Sequence, residues 1–63
     1  MIIERISDLT GRRHTREVDV TEAQLKCWAE GALIQNAMPN LSADDREFLM
    51  SGITPEEWET LTD

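Results

Sequence analysis

The run from Phe48 to Trp58, Phe-Leu-Met-Ser-Gly-Ile-Thr-Pro-Glu-Glu-Trp, joins a complete helix stop to a complete helix start. Gly52 suits the left-handed position just past a helix end, where a side chain would clash. Ile53 is placed to fold back onto Phe48 or Leu49, as in a Schellman stop. Thr54 is then an N-cap, Pro55 fits the first helical position, and Glu57 closes a capping box with Thr54. Ile53 and Trp58 occupy the two staple positions around that cap. Two helices are therefore expected to meet at a sharp corner here, and the rest of the chain must pack around it.

The chain has 63 residues, enough for one small domain over positions 1–63. Domains of this size bury only about 60% of their unfolded surface. Small scaffolds therefore lean on disulfides, metals or partners. The single Cys27 forms no intrachain disulfide, and one Cys with one His falls short of a structural zinc site. Stability is then left to the apolar core, with self-association as the remaining support. Met1-Ile2-Ile3 runs straight into Glu4-Arg5, so no secretory leader is expected, and no stretch has the ~20 apolar residues of a membrane span. A cytoplasmic location is the expectation.

The formal net charge of −7 is unevenly placed. Up to residue 20, Arg5, Arg12, Arg13 and Arg16 balance Glu4, Asp8, Glu17 and Asp19. From residue 21 on, Lys26 and Arg46 face Glu22, Glu30, Asp44, Asp45, Glu47, Glu56, Glu57, Glu59 and Asp63, and the whole excess lies there. Such a surface repels phosphate backbones and favours solubility or a basic protein partner.

Ile2 to Leu9 and Thr15 to Val20 are rich in β-branched residues, with Thr10-Gly11 between them, which is a hairpin signal. Val18 and Val20 alternate with Glu17 and Asp19. In the first run Ile2 and Ile6 share one face and Ile3 and Leu9 the other, so a short helix over residues 3–9 is the rival reading. Arg12-Arg13-His14 forms the basic tip of that hairpin. Thr21 and Gln24 then make a capping box, Val20 and Leu25 match the staple spacing, and Leu25, Trp28, Ala29 and Ala32 follow a helical stripe. A stop or kink is expected near Gly31, with a second short helix ending before Pro39. Ser42 caps the next helix, whose first turn carries Asp44 and Asp45 at the positive end of its dipole. The last helix spans Pro55 to about Leu61. The expected fold class is α+β: an N-terminal β-hairpin (1–20) packed on three or four short helices (21–61). The expected core is Ile6, Val18, Val20, Leu25, Trp28, Ala32, Ile34, Leu41, Phe48, Leu49, Ile53, Trp58 and Leu61.

Leu33-Ile34-Gln35, Met38-Pro39, Leu41-Ser42, Arg46-Glu47-Phe48-Leu49 and Gly52-Ile53-Thr54-Pro55-Glu56-Glu57-Trp58 resemble a pattern carried by short uncharacterised proteins of bacteria and their phages. Ser7, the Thr10-Gly11 turn and the Thr21 cap are similar to it as well, so the resemblance spans most of the chain. It implies a small prokaryotic or phage protein, and it implies no activity and no functional residue.

Chemistry is sparse. Cys27 and His14 are the one Cys–His combination, without a glycine-rich elbow, and Cys27 is expected to be a buried or half-buried structural thiol. The carboxylates of Asp44, Asp45, Glu56, Glu57 and Glu59 fall near helix starts, where dipole and capping explain them better than acid–base catalysis does. The alternating acids of an EF-hand loop and the glycine motifs of nucleotide-binding loops are missing from the sequence, and no cofactor is expected. The expected function is therefore non-catalytic: a small acidic adaptor or inhibitor. It would bind a basic protein through Asp44, Asp45, Glu56, Glu57 and Glu59, with Arg12 and Arg13 as a second contact set. A homodimer matching basic hairpin tips to acidic helices fits so small a core. The alternative is a nucleic-acid-associated protein using Arg12, Arg13 and Arg16, against which the acid excess argues.

Overall fold

The computed structural model describes residues 1–62, the side chains of Leu61 and Thr62 excepted; Asp63, counted in the acidic excess, and the side chain of Leu61, expected in the core, lie outside the described residues. The fold is α+β. Strands β1 (Ile2–Ile6) and β2 (Arg13–Glu17) form an antiparallel hairpin, followed by α1 (Glu22–Ala29), α2 (Ile34–Ala37), α3 (Ala43–Ser51) and α4 (Pro55–Thr62). The hairpin packs on α3, and α1 packs on α2. Residues 3–9 are thus strand and loop, not the rival helix.

The helix signals fall where the sequence puts them. The Thr21 hydroxyl accepts from the Gln24 N–H at 3.1 Å while the Gln24 side chain accepts from the Thr21 N–H at 3.0 Å. Gln24 also donates to Asn40 Oδ1 at 2.9 Å, and Asn40 donates to the Asp19 carbonyl at 2.8 Å, so this cap is fastened to the entry of α3. Helix α1 ends at Ala29, just before Gly31, and the short α2 follows. Ser42 caps α3 by accepting from the Asp45 N–H at 3.2 Å.

At the corner, Gly52 has φ +75° and donates its N–H to the Phe48 carbonyl at 2.8 Å. The Ile53 N–H goes to Ser51 Oγ at 3.2 Å, so a side chain stands in for the second backbone bond of a Schellman stop. The Thr54–Glu57 capping box is present in both directions, each bond at 3.3 Å. A further constraint acts at Gly52. A Cβ there would lie 2.7 Å from the Ile6 carbonyl carbon and closer still to its oxygen. The corner is therefore pressed against the end of β1, where the Asp8 N–H donates to the Ser51 carbonyl at 2.9 Å.

The core is Val18, Val20, Ile34, Met38, Leu41, Phe48 and Leu49, with Ile3, Leu25, Trp28 and Ala37 packed against it, and Ile53 is buried beside the corner. Met38, which is not in the expected core, is fully buried. Three expected core residues are exposed. Ile6 shares the outer hairpin face with Ile2 and Glu4, while Ile3 and Arg5 face inward. Ala32 lies beyond the end of α1. Trp58 remains 42% exposed because α4 sits against the hairpin loop and does not enter the core.

The hairpin register also differs from expectation. Ile2 pairs with Glu17, Ile3 with Arg16, Glu4 with Thr15, Arg5 with His14 and Ile6 with Arg13. Arg13 and His14 are thus strand residues, and the tip is the loop from Ser7 to Arg12. Val18 and Val20 follow the strand and plug the core.

Candidate interaction surface

Apart from Ile3, which packs against the core, the inner face of the hairpin is polar, and it draws acids from the helices. Arg16 Nε donates to Asp45 Oδ1 at 2.8 Å, linking β2 to the first turn of α3. Arg5 donates to the Met50 carbonyl at 3.3 Å. His14 Nε2 lies 3.1 Å from Glu57 Oε1.

Glu57 is the most constrained carboxylate among the described residues. Its side chain is 11% exposed, and the Thr10 hydroxyl donates to Oε2 at 2.5 Å. That hydrogen bond is the largest influence holding its carboxyl down at about 2 from an ordinary 4.5. Desolvation opposes the shift, while His14, the Ser7 hydroxyl and the Thr54 backbone N–H add to it. Ser7 is itself nearly fully buried, and its Oγ accepts from the N–H groups of Leu9 at 3.2 Å and Thr10 at 3.3 Å, which shapes the loop. Sequence reasoning missed Ser7, Thr10 and His14 as partners of Glu57. The one available signal was Ser7-x-x-Thr10 before Gly11, a spacing typical of hydroxyl-capped turns.

Two of the candidate contact residues are thus turned inward: Asp45 holds Arg16, and Glu57 holds the hairpin loop. Asp44 and Glu56 are exposed and make no ion pair with a described residue, and Glu59 is exposed on α4. The arginines do not share a patch. Arg13 pairs with Glu4 at 3.2 Å on the outer hairpin face, and Arg16 is on the inner one. Arg12 lines an open depression of about 510 Å³ with Leu9, Thr10, Glu57 and Thr60. Cys27 is exposed, contrary to the expected structural burial, because it falls on the outward side of α1. No cluster of three metal-ligating side chains occurs among the described residues, and no described helix is long and apolar enough to cross a membrane.

The exposed large apolar residues complete the surface. Leu33 lies before α2, Met50 on α3 and Trp58 on α4, with Met1, Ile2, Ile6 and Leu9 along the hairpin. No protein-family model, curated protein or solved structure matches the chain.

Proposed function

We propose that this chain is a non-catalytic protein-interaction module, a small acidic adaptor or inhibitor of bacterial or phage origin that works in the cytoplasm. Its partner is a protein with a basic face. The observation that carries this reading is Trp58, 42% exposed on α4, a helix that also exposes Glu56 and Glu59. A half-exposed tryptophan on a helix that also carries exposed carboxylates offers an apolar anchor on an acidic element, and buried aromatic anchors concentrate binding energy at protein interfaces. Asp44 on α3 adds unpaired negative charge, which steers a basic partner and sets its orientation. The same geometry favours binding over catalysis. The most covered of the candidate carboxylates, Glu57, is held ionised far below neutral pH and is already engaged by Thr10, so it is poorly suited to proton transfer at pH 7.

The test is capture of binding proteins from a bacterial lysate by the tagged chain, eluted in salt steps, beside a Trp58→Ala variant and a variant carrying Asp44→Asn and Glu56→Gln. A bound protein that elutes at moderate salt and is lost from both variants is the expected result. Retention indifferent to both variants would overturn the acidic-side reading. Elution of nucleic acid instead, abolished by Arg12→Ala, would replace it with the nucleic-acid alternative.

A further inference from the structure

One edge of the hairpin is left open by the other described residues. The Met1 amine donates to the Val18 carbonyl at 2.9 Å, the Val18 N–H donates to the Met1 carbonyl at 2.9 Å, and the Ser7 N–H donates to the Arg12 carbonyl at 2.8 Å. In an antiparallel ladder, bonded and non-bonded pairs alternate. In this register the bonded set continues through Ile3 with Arg16 and Arg5 with His14. Arg13, Thr15 and Glu17 therefore aim their N–H and C=O groups away from β1, and none of these groups bonds to a described residue. The matching edge of β1, at Ile2, Glu4 and Ile6, is obstructed at one end. Gly52 lies against the Ile6 carbonyl there, and the Asp8 N–H is tied to Ser51. Self-pairing of β1 about its centre would also set Glu4 against a second Glu4.

We infer that β2 pairs antiparallel with β2 of a second copy, across a two-fold axis at Thr15, giving a four-stranded sheet. Among registers that align outward groups with outward groups, this one engages all of Arg13, Thr15 and Glu17. It sets Thr15 opposite Thr15 of the partner subunit, and Arg13 opposite Glu17 of the partner subunit at both ends. Threonine pairs and opposite charges are favourable cross-strand neighbours, and the two-fold makes each contact occur twice. Arg13 already pairs with Glu4 at 3.2 Å and Glu17 with the Met1 amine at 3.1 Å, but their side chains are 69% and 71% exposed and remain open to a second partner. On the inner face the register brings His14 opposite Arg16 of the partner subunit. Neither meets the other bare: Arg16 is bonded to Asp45, and His14 lies against Glu57. A two-stranded sheet is marginal on its own, and strand addition closes an exposed edge while extending the ladder. The inference is independent of the acidic-side reading, since Asp44, Glu56 and Trp58 lie off this edge.

The experiment is sedimentation equilibrium of the full chain with Arg13→Glu, Glu17→Arg and the double variant, each checked for native circular dichroism. A wild-type dimer is expected. Each single variant sets like charges together at both ends and weakens the dimer by about tenfold or more, and the double variant restores it. In a Cys27→Ser background, Thr15→Cys is expected to form a covalent dimer on mild oxidation, because bonded antiparallel pairs place Cα atoms about 5.5 Å apart. This second arm holds even where a charge variant fails to fold. A wild-type chain monomeric up to about millimolar concentration would overturn the inference. So would a dimer indifferent to both single variants, or a double variant no tighter than the singles.

Discussion

At the scale of single residues, Gly52 answers to two constraints and Gly11 to one. Both have positive φ, +75° and +74°. An added Cβ at Gly11 meets nothing within 4 Å, whereas at Gly52 it meets the backbone of Ile6 and Ser7. Backbone cannot swing aside as a side chain can. Gly11→Ala is therefore expected to cost about 1 kcal/mol, the usual penalty for left-handed backbone. Gly52→Ala is expected to cost at least about 2 kcal/mol, a large share of the stability of so small a domain. Urea unfolding of the two variants side by side measures the difference, and equal costs would mean that the approach to Ile6 carries no energy. The left-handed stop was legible in the sequence because it follows from residues within one turn. The contact with Ile6 was not, because it joins positions far apart in the chain and leaves no local pattern. Ile6 itself shows the same limit: its apolar character suggested core, while the strand's alternation committed it to the outer face with Ile2.

Among the elements, the helices were legible and the second strand was displaced. Thr21, Ser42 and Thr54 announce their helices through side chains that satisfy the free N–H groups of the first turn. Strand β2, Arg-His-Thr-Arg-Glu, has no apolar residue, so hydrophobic alternation cannot find it. Reading the strand from Val18 and Val20 moved it past its true end. What fixes it in place is polar: Arg16 on Asp45 and His14 beside Glu57, pairs that only the fold brings together. Helix α4 depends on the same kind of contact. Its Trp58 is half-exposed, and Glu57 links it to the hairpin loop through Thr10. The pH dependence follows with a definite sign. Glu57 titrates at about 2 in the fold and ordinarily at 4.5, so its contribution is fully present above pH 4.5 and is lost as pH falls toward about 2. The wild-type chain is expected to lose more thermal stability across that window than a Glu57→Gln variant, because glutamine has no proton to gain. Melting curves by circular dichroism at pH 6, 4, 3 and 2 give the comparison, and parallel losses in the two proteins would show that the Thr10 contact does not favour the ionised carboxylate.

For the whole molecule, the partition of charge was legible from the sequence, and its internal cancellation was not. The balanced first twenty residues and the acidic remainder are plain in the sequence, but the hairpin neutralises part of the helical excess from within. Arg16 covers Asp45 at 2.8 Å, with side chains 31% and 21% exposed. What remains is a chain of net charge −7 in a body of 36 × 19 × 18 Å, where carboxylates on α3 and α4 repel over distances greater than any one ion pair. Salt separates the two effects. Raising sodium chloride from about 0.01 to about 0.15 M shortens the screening length from roughly 30 to roughly 8 Å. That removes most of the long-range repulsion. It weakens the half-covered Arg16–Asp45 contact little, because no screening ions fit between directly hydrogen-bonded atoms. Exposed pairs such as Arg13–Glu4 and Lys26–Glu30 contribute little at either salt concentration. The melting temperature at fixed protein concentration is therefore expected to rise with salt over this range, by roughly 2–5 °C for a domain of this size. A fall would mean that the close pairs outweigh the net charge, and that the acidic side of the molecule is held together by attraction to the hairpin more than it is strained by its own excess.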